Sequence, residues 1–169
     1  MHAAATPASA TPIYLDNNAT TRPFPEVVDV MAEHLSAAYA NPGSSHSAGR
    51  AARRVLEDSR EQLAAMLGAK PQEVLFTSGG TESTNLALFG LTPSTPGKIA
   101  LTAGEHPATV QACLNLEQRG WQQLTLPVDS QGRLLAAEVE RLPWDDLKLV
   151  TIILAHNETG VIQDIEPLA

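Results

Sequence analysis

Three short polar runs in this sequence combine residue types that can hold and work on a small anionic ligand. They are Thr77-Ser-Gly-Gly-Thr-Glu-Ser83, Glu105-His106-Pro107 and His156-Asn157-Glu158-Thr159-Gly160. In the first, two glycines let the backbone turn tightly and present successive N–H groups. Ser78 and Thr81 add hydroxyls, and a following helix would add its dipole, so the run suits a phosphate. Glycine is equally common in an ordinary turn between strand and helix, and the spacing fits both. Glu82 suits the helix dipole but would repel a phosphate, so its side chain is expected to point away. The run lacks the GK[ST] ending of a P-loop and the GxGxxG of a dinucleotide fold, which argues against a nucleoside triphosphate or NAD. His106 has a flat ring that can stack on an aromatic cofactor or simply pack on a sheet edge. Asn157 can donate to a ligand oxygen, although Asn and Gly are also plain turn formers.

The elements that must position these runs follow from periodicity. Pro25 to Ala38 reads as a helix, with Val27, Val28, Met31 and Leu35 on one face. Asn41-Pro-Gly-Ser-Ser45 breaks it. Ser47 is expected to cap a second helix carrying Val55, Leu56, Leu63, Met66 and Leu67, which Gly68 stops. The period then changes. Glu73 to Thr77, Lys98 to Thr102, Trp121 to Leu126 and Leu147 to Leu154 read as strands. Helices are expected after Ser78-Gly79-Gly80-Thr81 through Leu88, from about Pro107 to Arg119, and from Leu135 to Leu142. Strands and helices alternating at these lengths predict an α/β fold, a mostly parallel sheet covered on both faces and preceded by a helical segment. All three polar runs then fall at the carboxyl ends of strands, where open α/β sheets bind ligands. Asp164-Ile-Glu-Pro167 carries the signals of a further helix start.

Composition narrows the function classes. A formal charge of −8 and a pI near 5.0 argue against nucleic acid or an anionic membrane as partner. A single cysteine excludes an internal disulfide and any CxxC metal site, and points to a reducing, cytoplasmic setting. No apolar run approaches the roughly 18 residues that span a bilayer. Residues 1–12, rich in Ala, Thr, Ser and Pro, read as a disordered tail and not a targeting signal. Cys113, three residues after Val110 and beside Leu114, reads as a small buried apolar residue. His34 reads as a helix-surface residue, and Asp145 and Asp146 as a solvated turn.

Taken together, the runs resemble the cysteine desulfurases, within the class-V aminotransferase-like group of pyridoxal 5'-phosphate (PLP) enzymes. The resemblance rests on Ile13-Tyr-Leu-Asp-Asn-Asn-Ala-Thr-Thr21 and Asn41-Pro-Gly-Ser-Ser-His46. It continues through Thr77-Ser-Gly-Gly-Thr-Glu-Ser83 with Asn85, Glu105-His106, and Asn157-Glu-Thr-Gly160 with Val161, Gln163, Asp164 and Ile165. These pieces come in the family's order and spacing from residue 13 onward. The implied fold is the N-terminal part, residues 13–169, of a fold-type-I PLP-dependent transferase large domain.

The resemblance implies roles residue by residue. Gly80 and Thr81 match positions that hold the PLP phosphate, and His106 the histidine that stacks on the pyridine ring and moves protons. Asn157 matches the asparagine bonded to the cofactor's phenolic oxygen. His156 departs from the family, where many members carry a second Asn. The implied reaction converts L-cysteine to L-alanine, leaving an enzyme-bound persulfide that passes to a sulfur-acceptor or scaffold protein. The Schiff-base lysine and the nucleophilic cysteine match nothing in these residues: Lys70, Lys98 and Lys148 lack the family's histidine-lysine context. The chain alone is therefore expected to be inactive and poorly soluble, with a homodimer expected only for a full-length enzyme. Two other readings stay open: another class-V-like enzyme such as a selenocysteine lyase, and a non-catalytic phosphate- or PLP-binding or dimerisation module.

Overall fold

The computed structural model describes residues 13–168, so the expectation of a disordered tail over residues 1–12 lies outside the described residues. The chain divides into two compact units, one ending at Val74 and the other beginning at Leu75.

The first unit is helical. Helix α1, Pro25–Ala37, starts on a proline whose missing N–H costs nothing at the first turn. Helix α2, Ser47–Leu67, is capped one residue earlier than expected: His46 Nδ1, not Ser47, accepts the Gly49 N–H at 3.2 Å. Gly49 itself permits a close approach, since a β-carbon there would lie 2.6 Å from the Ser44 carbonyl oxygen. The Asn41–His46 loop can therefore lie flat on the helix, where the Pro42 carbonyl accepts from Arg53 Nε at 2.7 Å. Gly68 ends α2 in the left-handed region, at φ 66°, and its N–H returns to the Ala64 and Ala65 carbonyls.

The strand expected over Glu73–Thr77 does not form. A 3₁₀ turn occupies Pro71–Glu73, and residues 74–77 run as irregular backbone. Val74, Leu75 and Phe76 have strand-forming side chains, but a strand is completed by a neighbouring ladder, and none of the three strands pairs with these residues.

The second unit is a parallel α/β sandwich. Its elements are α3 (Gly80–Leu91), β1 (Lys98–Thr102), α4 (Pro107–Glu117), β2 (Gln122–Leu126), α5 (Ala136–Glu140) and β3 (Leu147–Thr151). The sheet order is β2-β1-β3, with both pairings parallel. β1 is central and buried on both faces. Ile99 and Leu101 meet Leu88 of α3, Ala112, Cys113 and Leu116 of α4, and Trp121. Ala100 faces the other way, toward Leu126, Leu142 and Leu168. Helices α3 and α4 thus cover one face, and Leu134, Leu142 and Leu168 from the connecting segments pack on the other. A register shift between Lys98 and Ile99 inserts Lys148 into the β3 side of the ladder. This is why Leu147 and Val150, three residues apart, share one face while Leu149 packs on the other.

Candidate functional site

The chain leaves β1 at Thr102, and the Ala103 N–H completes the β1–β2 ladder on the Leu126 carbonyl at 3.0 Å. Three residues later His106 becomes the N-cap of α4: its Nδ1 accepts the Ala108 N–H at 3.1 Å, with Pro107 in the first helical position. The ring is exposed. Because its Nδ1 lone pair is engaged, this bonding pattern assigns the proton of the neutral ring to Nε2, the nitrogen left to meet a ligand.

β3 gives way to a tight hairpin. Ala155 and Ile162 bridge, the His156 N–H reaches the Val161 carbonyl at 2.8 Å, and Gly160 N–H closes on the His156 carbonyl at 2.8 Å. Gly160 takes φ 73°, where a β-carbon would be strained. His156 Nδ1 accepts from the Glu158 and Thr159 N–H groups at 3.2 and 3.3 Å, which folds the turn around Asn157. Asn157 stands exposed on that turn. Gln163 braces the hairpin's far end. It is 6% exposed, its Oε1 accepts from Leu134 N–H, and its Nε2 donates to the Gly132 carbonyl, both at 2.8 Å.

The His106 loop and the segment leading into the Asn157 hairpin are joined. Glu105 Oε1 accepts from the Thr102 hydroxyl at 2.7 Å and from the Ile153 N–H at 2.8 Å. Gly104 lies beside His156, whose Cδ2 would be 3.8 Å from a β-carbon added there.

The third run opens α3. Gly79 is the N-cap and carries no side chain to satisfy the first-turn N–H groups, and both Gly79 and Gly80 border open space. Contrary to expectation, Glu82 does not point away. Its Oε2 accepts both the N–H (2.7 Å) and the hydroxyl (2.5 Å) of Ser78. The reason is local: donors gathered at a helix start attract the nearest anion, and that anion is Glu82 itself. The Ser78 hydroxyl, then the Ser78 N–H, hold this carboxyl below its ordinary range. Thr77 and Ser83 hydroxyls bond at 2.6 Å, and Asn85 Nδ2 donates to the Thr81 carbonyl at 2.8 Å. These bonds stay within residues 77–85. A hydrogen bond therefore ties the His106 run to Ile153, three residues before the His156–Gly160 run, and the bonds that shape the Gly80–Thr81 turn are its own.

Residues 13–169 match the aminotransferase class-V family. The chain belongs to that family. A cysteine desulfurase of Nostoc sp. (strain PCC 7120 / SAG 25.82 / UTEX 2576) is 42% identical over 158 residues, covering 92% of this chain and 40% of the relative. A NifS-like protein of known structure superposes with a TM-score of 0.85 at 37% identity, over 89% of this chain and 42% of the other. A structure described as SspA in complex with cysteine gives 0.83 at 32% identity, over 89% and 44%. The class-V chain thus spans about two fifths of the length of the relatives it matches.

The other reactive groups of this class-V chain sit elsewhere. Cys113 is fully buried in the α3–α4 face of the core. Burial first, then the carboxylates of Glu105 and Glu117, push its thiol up to about 11, so it stays protonated at neutral pH. Lys98 begins β1 and pairs with Asp146 at 2.9 Å, and Lys148 lies one residue into β3. Both are at the amino ends of the strands, opposite His106 and Asn157. Lys70 lies in the first unit, 4.0 Å from Glu73. Among the described residues no helix is long and apolar enough to cross a membrane.

Two features of this arrangement were not read from the sequence. In the sequence Glu105 stands out only as the neighbour of His106, and Gln163 only as part of the family resemblance. A polar residue at a strand exit, next to a candidate ligand, is the signal that points to Glu105. Gln163 has no such local signal, because its partners lie about 30 positions away.

Proposed function

We propose that this chain provides the N-terminal, PLP-contacting half site of a cysteine desulfurase. The observation that carries the reading is the joined pair at the carboxyl end of the parallel sheet, His106 and Asn157 on two loops bonded through Glu105. The residues fit the cofactor's chemistry. The open, side-chain-free start of α3 leaves first-turn N–H groups at Gly80 and Thr81 for a phosphate. His106 offers an exposed ring face and an Nε2 that can give or take a proton. Asn157 offers an amide donor to an oxygen on the ring. PLP, when bound, supplies an electron sink for bonds at the substrate's α-carbon.

The chain's own contribution is to bind and orient. Gly80 and Thr81 anchor the phosphate. His106 covers one face of the ring, its orientation fixed by the Ala108 N–H, and holds a proton at Nε2. Asn157 keeps the ring's oxygen hydrogen-bonded. Entry of a phosphate also requires Glu82 to release the Ser78 donors or to share them. The substrate in this reading is L-cysteine, and the sulfur passes to an acceptor or scaffold protein. A homodimer belongs to the full-length enzyme. Lys98 and Lys148 lie at the wrong end of the strands to serve as the Schiff-base lysine, and Cys113 is too buried to serve as the sulfur nucleophile. The chain by itself therefore turns over no cysteine.

The test is equilibrium binding of PLP to this chain, followed by the ligand's absorbance, beside an assay for alanine released from L-cysteine. Thr81→Val, which removes the side-chain hydroxyl, and Asn157→Ala should each weaken PLP binding by about 5- to 10-fold for one lost hydrogen bond, and His106→Ala should weaken it by removing the ring contact. Pyridoxal, lacking the phosphate, should bind more weakly and ignore Thr81→Val. Absence of PLP binding, or binding indifferent to all three changes, would end this reading. A second reading, a phosphate- or PLP-binding module that does no chemistry, is favoured by the uncapped start of α3. It predicts binding that depends on Thr81 but not on His106 or Asn157.

A further inference from the structure

The β1–β3 ladder has its last register pair at Leu101 and Thr151, yet the hydrogen bonding between these segments goes one step further. Beyond that pair the Ala103 N–H still bonds the Leu126 carbonyl in the β1–β2 register, but among the described residues no main-chain carbonyl of β1 meets the Ile153 N–H. The Ile153 N–H is met instead by Glu105 Oε1 at 2.8 Å. The same oxygen accepts the hydroxyl of Thr102, which is 2% exposed and fixed in the sheet. One carboxylate oxygen therefore stands where a strand carbonyl would stand and bolts the exit of β1 to the exit of β3. Its backbone neighbour is His106. On the other side, Leu154, next after Ile153, receives the Gln163 N–H at 2.8 Å and opens the hairpin that carries His156 and Asn157.

We propose that Glu105 is a positioning residue that sets the spacing between His106 and Asn157. Its side-chain hydrogen bonds go to Thr102 and Ile153, not to the His106 ring or the Asn157 amide. It acts through the two backbones, and the packing of Gly104 beside His156 is the second contact of the same joint. The importance of that spacing for PLP rests on the function proposed above, whereas the joint itself can be tested without any ligand.

The experiment compares Glu105→Gln, Glu105→Asp and Glu105→Ala in this chain, by hydrogen–deuterium exchange with mass spectrometry at low micromolar concentration. Glutamine keeps an acceptor oxygen at the same reach. Aspartate keeps the charge but is one methylene too short to serve Thr102 and Ile153 together. Exchange should rise about 10-fold or more in peptides spanning 103–108 and 152–162 for the Asp and Ala variants, and return close to the parent rate for Gln. Peptides of β2 should not change, which separates a loosened joint from general destabilisation. PLP affinity, measured alongside, should fall in Asp and Ala and recover in Gln. If Glu105→Ala fails to fold, the Asp and Gln pair carries the same comparison. Unchanged exchange in both peptides for Glu105→Asp, or equal loosening in Asp and Gln, would overturn the proposal. If exchange responds as expected but the parent chain binds no PLP, the joint stands and the cofactor reading falls.

Discussion

His46, His106 and His156 each turn Nδ1 back onto backbone N–H groups two or three residues ahead, at 3.1 to 3.3 Å. An imidazole used this way resembles an Asn or Asp at a cap or turn, an acceptor held close to its own backbone. At His156, where the resemblance has Asn in many members, the imidazole supplies an acceptor to the Glu158 and Thr159 N–H groups, as an Asn side chain can at a turn. Cys113 shows the opposite case, a reactive atom made inert by its surroundings. Its thiol titrates near 9.0 in an unfolded chain and is pushed up to about 11 in the core, by burial and then by the Glu105 and Glu117 carboxylates. Below pH 9 both states hold the proton and the shift leaves stability untouched. As pH rises from 9 to 11 the unfolded thiol ionises first, so the folded state loses up to about 1.4 kcal/mol per pH unit. Urea unfolding across pH 8–11 should show this slope, and Cys113→Ala should remove it. A thiol reagent at pH 8 should modify Cys113 only after denaturant is added. Rapid labelling of the folded chain would contradict the assigned burial.

At the scale of the element, termini were more legible than pairings. Gly68 illustrates why: its φ of 66° is a local requirement at the end of α2, and a β-carbon there would meet no atom within 4 Å. Gly68→Ala should therefore cost about 1 kcal/mol, nearly all of it backbone conformation, and Gly68→Asn less. Thermal unfolding followed by helical circular dichroism measures this. A stabilising alanine would mean that α2 ends differently. The strand Lys98–Thr102 was read with its bounds intact because β1 is buried on both faces and its apolar run is continuous. The Asp164 cap was also legible, and its Oδ1 accepts the Glu166 N–H at 3.2 Å, opening a 3₁₀ turn over Glu166–Leu168. Residues 73–77 were misread because strand character lies in side chains, whereas a strand also needs a neighbour, which no window of sequence contains. Leu75 is 69% exposed as a result. The candidate site divides the same way. His106 and Asn157 were found by type and position, but the Glu105 joint depends on a contact 48 residues apart. The inward turn of Glu82 runs against the repulsion that a bound phosphate would exert, because the Ser78 N–H and hydroxyl donors attract the same carboxylate.

For the molecule as a whole, the dominant physical fact is apolar surface in contact with water. Helix α1 buries no residue: Val27, Val28, Met31 and Leu35 are all exposed, the last at 74%. Among the described residues of the second unit β2 and β3 each pair only with β1, so both outer edges have no neighbouring strand there, and Leu154, Ile162 and Ile165 are exposed just past β3. Open parallel edges and apolar patches of this kind favour self-association. The charge of −8 opposes it, because like-charged copies repel over roughly 8–10 Å at physiological salt. The two effects differ in salt dependence, which makes them separable. Sedimentation velocity should show species larger than the 17.9 kDa chain as concentration rises, and more of them at 0.5 M than at 0.05 M salt. Electrostatic attraction would give the reverse order. Met31→Glu with Leu35→Glu, and separately Leu154→Lys with Ile162→Lys, should each reduce association and the binding of a hydrophobic dye, while the far-ultraviolet spectrum holds. If the chain stays monomeric at both salt concentrations and binds no dye, these surfaces are covered in solution, and the exposure described for α1 and the sheet edges is wrong.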